Sequence, residues 1–503
     1  MDIPGRPAAA RLPLRPGSLL RPGSPLRPAF RRNPFRSGPA LPAALAVLMA
    51  GAALSSCGGG SSSTDPQRNA KAKTFTLTIA RNAIVGGKNS AEAEWVTKTV
   101  IPGFVAAEKA KGLHVKVVYH GYGVDDEAYK TKTALDLKSK AGADIVSLDG
   151  IWVGEFAQAG YIKPLTDVVG PRADSWDGWS QISPSVQQLG AFQLKRYGIP
   201  PSTDGRVLFY NKKLLAQAGL PANWQPTSWN DILAAGRALK KLPGVTPLQI
   251  NAGTAMGEAT TTQGVLPLLA GAGAEIYSGG KWTGGGPAMK QVLGLYQQLY
   301  GPGGLGDRKL QEEAKGRDKS FEEFASNKIG VLLEGVYFWR AVLNPKDGIA
   351  KMADRDQSVG YALIPAMAPG KGVRGQSFVS MSGGSVAAVN PHTRYPQQAF
   401  DLLTYLNSAD AMKARIAGNP EVTSRNDVNA EALKSDPFLT FVAQKVLPIT
   451  LFRPGLAAYT QVSTALEEAT ASVVAGHGPD DAAAQYTKKL EGIVGGPGHV
   501  NAG

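Results

Sequence analysis

Cysteine is almost missing: Cys57 is the single one in 503 residues. No internal disulfide can form, so the folded part must be held by ordinary cores. Histidine is scarce as well. His114, His120, His392, His477 and His499 fall at no spacing that metal ligands adopt. The net charge of +14 overstates how basic the chain is, because residues 1–56 carry eight arginines against one acid, Asp2, and so half of the excess. Beyond them no Lys/Arg block exceeds pairs such as Lys212-Lys213 and Lys240-Lys241, which argues against a nucleic-acid partner. Long apolar runs are lacking too: residues 41–54 are apolar, short of the roughly 18 needed to span a bilayer as a helix. Catalytic signatures are thin. There is no G-x-S-x-G elbow and no H-E-x-x-H. Gly301, Gly303 and Gly306 spell G-x-G-x-x-G but follow a helix-like segment, and Lys88 after Gly87 lacks the rest of a phosphate loop. Glu322 and Glu323 are neighbours on a helix pattern and do not face a common cleft.

What is present begins with an export layout: an arginine- and proline-rich start, the apolar run, then small residues ahead of Cys57. Leu54-Ser55-Ser56-Cys57 resembles a bacterial lipoprotein lipobox, in which the thiol takes up a diacylglyceryl group. The resemblance implies a signal peptide over 1–56, a lipid on Cys57 and a protein held at the cell membrane on its extracytoplasmic side. The Gly/Ser stretch from Gly58 cannot pack, and a flexible tether over 57–73 is expected. Arg31-Arg32 leaves twin-arginine export open beside the general route. A buried structural role for Cys57 is the alternative.

The remaining length favours two domains, since single cores rarely grow past ~250–300 residues. Phe75, Leu77 and Ile79 alternate with threonines as a strand does. A Gly86-Gly87 turn, a helix from Ser90, strands at 115–119 and 144–148 and the helix between them give a βαβαβ rhythm, hence a parallel sheet with helices on its faces. Ligands bind such sheets at the carboxyl ends of the strands, which directs attention to 82–89, 121–126 and 149–152. Past the rigid Gly198-Ile199-Pro200-Pro201 segment a second set of α/β units starts. It has strands at 206–210 and 329–333, a helix over 212–218 stopped by Gly219, and a helix opened by Ser228 and Asp231 at capping-box spacing. Another strand is expected at 385–389.

Asp144-Ile145-Val146-Ser147-Leu148-Asp149 followed by residues 156–165 (FAQAGYIKPL), then Tyr197-Gly198-Ile199-Pro200, Leu208-Phe209-Tyr210-Asn211-Lys212, Pro226-Thr227-Ser228-Trp229 and residues 397–403 (QQAFDLL) stand in one order. Together they resemble the extracellular solute-binding proteins of ABC importers, in the carbohydrate group that includes maltose-binding protein. The resemblance covers most of 74–490. It implies an α/β, two-lobed, hinged fold of the type II periplasmic-binding-protein kind, with the ligand cleft between the lobes. The first lobe would hold 74–202 and 385–445, the second 203–384 and 446–495, and 496–503 would be a tail. It also implies a carbohydrate ligand, permease subunits as partners, a monomer, no cofactor and no catalysis.

A sugar cleft needs aromatic platforms for C–H faces and carboxylates, amides or guanidinium groups for hydroxyls. Asp149 and Trp152 follow a strand directly and supply one of each; Asn89 and Asp125 lie in the other post-strand segments. Glu258 opens a threonine-rich helix start, and Gly383-Gly384 lets backbone approach a ligand. By family position Asp204 is a carboxylate beside the hinge, Trp339 a stacking aromatic and Arg425 a residue reaching the site. Each has a structural alternative: core for Trp152 and Trp339, an Asx turn for Asp149, a cap for Asp204 and for Glu258. Trp95 and Trp229 read as core. A binding protein for a non-sugar solute, or a glycoside hydrolase using Asp149 and Asp204, remain as other functions.

Overall fold

A computed structural model describes residues 65–501 apart from Lys88, Asp125, Asp347 and Asn419. The leader, Cys57 and Asp125 lie outside the described residues.

The first lobe is built on a five-stranded sheet in the order His114–Gly121, Thr74–Arg81, Ile145–Asp149, Ser385–Val389, Gly198–Ile199. The first three strands are parallel, as the βαβαβ rhythm requires. Ser385–Val389 enters antiparallel to Ile145–Asp149, with Ser385 opposite Asp149, so the sheet is mixed. The alternation of 75, 77 and 79 does its work here: Phe75, Leu77 and Ile79 are buried together with Trp95, Phe104 and Phe400.

The second lobe carries a four-stranded sheet in the order Val359–Ala362, Arg206–Asn211, Ile329–Gly335, Thr246–Gln249. Its helix Trp229–Leu239 starts on the capping box anticipated from Ser228 and Asp231 and buries Trp229, Ile232, Leu233 and Leu239. Burying each such side chain contributes about 1.5–3 kcal/mol before entropy is subtracted. Gly219, left-handed at φ 75°, follows the helix Lys212–Gln217. The chain passes between the sheets at 199–206 and again at 382–385. Beside these crossings Phe378–Ser382 pairs in parallel with Thr450–Phe452.

Three boundaries differ from expectation. Residues 66–70, expected within a tether, are pinned to the first lobe: Gln397 donates to the Pro66 carbonyl and Gln398 to that of Asn69, both at 2.8 Å. The expected tail is also fixed, because Val500–Asn501 pairs in parallel with the strand Lys281–Thr283. Finally, Phe438 and Phe441, expected on the first lobe, pack their rings on Phe209, Trp339 and Tyr361 of the second. In each case partners far away in sequence supply the apolar or polar contacts.

Candidate functional site

The carboxyl ends of the first-lobe strands open on the second lobe. There a cavity of about 140 Å³ is lined by Asn82, Asn89, Asp126, Tyr129, Asp149, Trp152, Gly384 and Ser385. It continues, through Asn89, Glu92 and Ser385, into one of about 370 Å³ reaching Ser202, Arg340, Arg415 and Glu421.

The loops after the first two strands are knitted by asparagine. Asn89, left-handed at φ 53°, donates from Nδ2 to the Asn82 carbonyl at 2.9 Å. Asn82 in turn donates to the Val124 carbonyl and to Asp126, each at 3.0 Å. Asparagine tolerates that backbone region better than most residues, so Asn89 both shapes the loop and faces the cavity.

Asp149 accepts from the Ile151 N–H at 3.0 Å, the Asx arrangement considered for it, and also faces the cleft. Burial pushes its carboxyl above the ordinary range, and the Arg453 charge, with Nη2 at 3.5 Å, pulls it part of the way back. Arg453 reaches across to the second lobe as well, donating from Nη1 to Glu258 at 3.1 Å. Glu258 also accepts from Tyr459 at 2.6 Å, from Thr262 at 2.8 Å and from Ser463. It is a satisfied anchor for Arg453 rather than a free helix cap.

Asp204 is held where the chain crosses between lobes. Its Oδ1 accepts from Arg206 at 2.5 Å and from the Gly383 N–H at 2.7 Å; no donor among the described residues meets Oδ2. Gly384 is sterically required and Gly383 is crowded. A Cβ on Gly383 would come 3.1 Å from Arg453 Nη2, and one on Gly384, at φ 145°, 2.6 Å from the Ser202 carbonyl.

Trp152 is buried at 8% exposure beside Tyr129 and Phe156 and still contributes to the cavity wall. Trp339 lies elsewhere. At 6% exposure it packs at 4.9 Å on Phe438, with the Arg355 guanidinium 4.0 Å from its ring. The core role considered for it is the one it has. Two residues earlier Tyr337 is only half-buried, 5.2 Å from the Arg317 guanidinium, at the end of the strand Ile329–Gly335. The strand exit thus presents Tyr337, and the indole two residues on turns inward. Arg425 is also structural: it is clamped on Asp427 at 2.6 and 3.0 Å, donates to the Asn407 carbonyl, and lines neither cavity.

The larger cavity holds residues that no sequence motif pointed to. Glu92 pairs with Arg81, which is buried behind it and outside the lining, and Arg415 Nε donates to Glu421 at 2.5 Å. Burial alone would raise Glu92, yet the charges of Arg81 and Arg415 hold its carboxyl below the ordinary range. From the second lobe Arg340 comes within 3.6 Å of Glu421 and donates to the Pro420 carbonyl at 3.4 Å. The larger cavity thus sets two carboxylates, Glu92 and Glu421, among two guanidinium groups, Arg340 and Arg415, a lining rich in both donors and acceptors, whereas the smaller one is lined by the carboxylates of Glu92, Asp126 and Asp149 and by no cation among the described residues.

Residues 90–413 match the family model described as bacterial extracellular solute-binding protein. A protein of Brucella abortus named as a binding protein is 23% identical over 414 residues, 81% of this chain and 92% of its own. One of Deinococcus radiodurans named as an ABC transporter-binding protein is 24% identical over 418 residues, 80% and 90%. Among solved structures, the sugar-binding protein MalE of Xanthomonas citri superposes with a TM-score of 0.67 at 16% identity, covering 84% of this chain and 98% of that one. The GacH receptor of Streptomyces glaucescens, solved unliganded and with acarbose, gives 0.63 at 21%, covering 84% and 98%. A solute-binding protein of Thermotoga lettingae bound with α-D-tagatose gives 0.60 at 24%, covering 83% and 100%. At these identities the structures show the shared fold.

Proposed function

The chain belongs to the bacterial extracellular solute-binding protein family, the binding components of ABC transporters that work outside the cytoplasm, and we propose that its solute is a sugar of two or more units. The observation that carries the reading is the paired lining of the cleft. A hydroxyl donates and accepts at once, so it is served by carboxylate and guanidinium groups side by side. In the larger cavity the fixed charges of Glu92, Glu421, Arg340 and Arg415 offset one another, which favours an uncharged solute over an ion. Trp152, in the cavity wall, supplies apolar surface for C–H faces, and we propose that Tyr337, half-buried at the strand exit and outside both cavity linings, joins it when the lobes close. The structures solved with acarbose and tagatose lend support by likeness of fold.

Binding then works by differential affinity. Asp204, Asp149 and Asn89 stand on or next to the first lobe, Arg340 and Tyr337 on the second, so a sugar that touches both sets favours the closed form. Closure presents a new surface to the permease. The lobe division we propose follows the sheets, with 437–445 moved to the second lobe and 66–73 to the first.

A thermal-shift panel of maltose, maltotriose, acarbose, tagatose, amino acids and polyamines tests the solute. A ligand at 100-fold excess over Kd adds about 2.7 kcal/mol of stability. With ~2.1 cal/mol/K of unfolding entropy per residue, that is a shift of about 3 °C for a chain of this size. A shift with amino acids or polyamines and none with any sugar would overturn the reading. We propose further that Cys57 carries a lipid: Cys57→Ser is expected to leave the washed membrane fraction, and its retention there would count against the anchor.

A further inference from the structure

A second groove, of about 580 Å³, runs between the hairpin of Ala191–Phe192 and Lys195–Arg196 on the first lobe and Glu275 and Tyr277 on the second; no residue lines both it and the cleft. Its size falls within the range of small-molecule sites. Phe192, Tyr277 and Phe452 line it, and all three rings are half-buried, leaving aromatic surface toward the groove. A mostly apolar annexe of about 40 Å³ adjoins it, sharing Glu275, Tyr277, Phe452 and Pro454 and walled otherwise by residues such as Ile276, Met381 and Leu451.

The polar lining is largely committed. Arg196 donates to Asp174 at 2.8 Å and to Gln187 at 2.9 and 3.1 Å, and Glu275 pairs with Arg374 at 3.2 Å. Arg453 is the exception. Its two terminal nitrogens go to Glu258 and Asp149, but its Nε is buried and meets no acceptor among the described residues. An unmet buried donor costs free energy that an incoming acceptor returns. At the rim, Arg196 is answered by Asp174, Glu275 by Arg374, and Arg453 by Asp149 and Glu258, so exposed Lys195 is the lining cation that meets no carboxylate among the described residues.

We propose that this groove is a second ligand site, separate from the solute cleft, for a small molecule that combines a flat apolar ring with an anionic hydrogen-bond acceptor. The ring lies among Phe192, Tyr277 and Phe452, where offset or edge-to-face contacts are favourable. The acceptor takes the Arg453 Nε–H.

The test uses 8-anilinonaphthalene-1-sulfonate, a flat aromatic with an anionic acceptor, and its uncharged relative N-phenyl-1-naphthylamine, titrated into the full chain by fluorescence. Saturable binding at one equivalent is expected, with the sulfonate about tenfold the tighter, the smaller end of what a hydrogen bond to a charged group is worth. Gln188 is exposed and lines the groove, so Gln188→Trp fills it without touching the core, and Tyr277→Ala removes a wall. Both should weaken the sulfonate by about tenfold, the scale of losing a central aromatic contact. Ile349→Ser, which removes an apolar residue 74% exposed elsewhere on the surface, should change nothing. Non-saturable binding, equal affinity for the two probes, or unchanged affinity in Gln188→Trp and Tyr277→Ala would overturn the proposal.

Discussion

Glu467 offers a test of the hydrogen-bonded chain beneath the cleft, through the substitution Glu467→Gln. The residue sits on the helix Tyr459–Val474 at 8% exposure, with no cation beside it among the described residues. Ser463 stands between it and Glu258, 3.4 Å from Glu467 Oε1, and donates to Glu258. Burial, helped by the Glu258 charge, lifts Glu467 from 4.5 to about 7. Its folded form therefore holds a proton to higher pH than the unfolded chain does. Folding takes one up between 4.5 and about 7, and stability falls as pH rises through that window. The whole gap is worth about 3 kcal/mol as an upper bound, at 1.36 kcal/mol per pH unit. A neutral Glu467 can donate to Ser463 Oγ, freeing the serine hydrogen for Glu258, and glutamine can do the same at every pH. Urea unfolding followed by tryptophan fluorescence should give nearly equal stabilities near pH 5, and the variant ahead by about 1–3 kcal/mol near pH 8, with unchanged m-values. A difference that stays constant across this range would refute the reasoning.

Trp339→Ala should cost about 3–5 kcal/mol of stability in urea, the scale of emptying a buried aromatic site; a drop in sugar affinity with stability intact would place the indole in the cleft after all. Tyr337→Ala should do the opposite, weakening sugar binding by about 1–3 kcal/mol in calorimetry with little change in melting temperature. Asp204→Ala should lose about ten- to a hundredfold in affinity, the worth of a hydrogen bond to a charged group. Asp204→Asn should lose less, because its side-chain carbonyl can still accept from Gly383; equal losses by titration would show that the charge alone matters.

Local signals carried furthest where the chemistry is local. The alternation at 75, 77 and 79 set the face of the first strand, and Ser228 with Asp231 set a helix start, because both depend only on neighbours in the chain. The site was legible to the level of which loops form it. Asp149, Trp152 and Asn89 line the cavity because strand ends in a parallel sheet converge. Which side chain turns outward was not legible. Tyr337 and Trp339 are separated by one residue, and the rings of Phe438 and Tyr361 and the Arg355 guanidinium, brought from elsewhere, decide that the tryptophan is covered. Arg453, Arg415, Glu421 and Arg340 carried no motif, since each acquires its role from a partner on another element. The same holds for residues 66–70 and 500–501, whose composition reads as linker until Gln397, Gln398 and the strand Lys281–Thr283 are in place.

Ser385–Val389 lies between Ile145–Asp149 and Gly198–Ile199 in the first sheet, pairing with both. A ribosome must therefore make the whole second sheet before the first can be completed. At roughly 5–20 residues per second, the amino-terminal strands wait on the order of ten seconds or more for this partner. During that interval they cannot lock into the finished lobe, and pairing across so long a stretch of chain is slow in any case. In a family whose members work outside the cytoplasm, this interleaving ties completion of the first sheet to synthesis of most of the polypeptide.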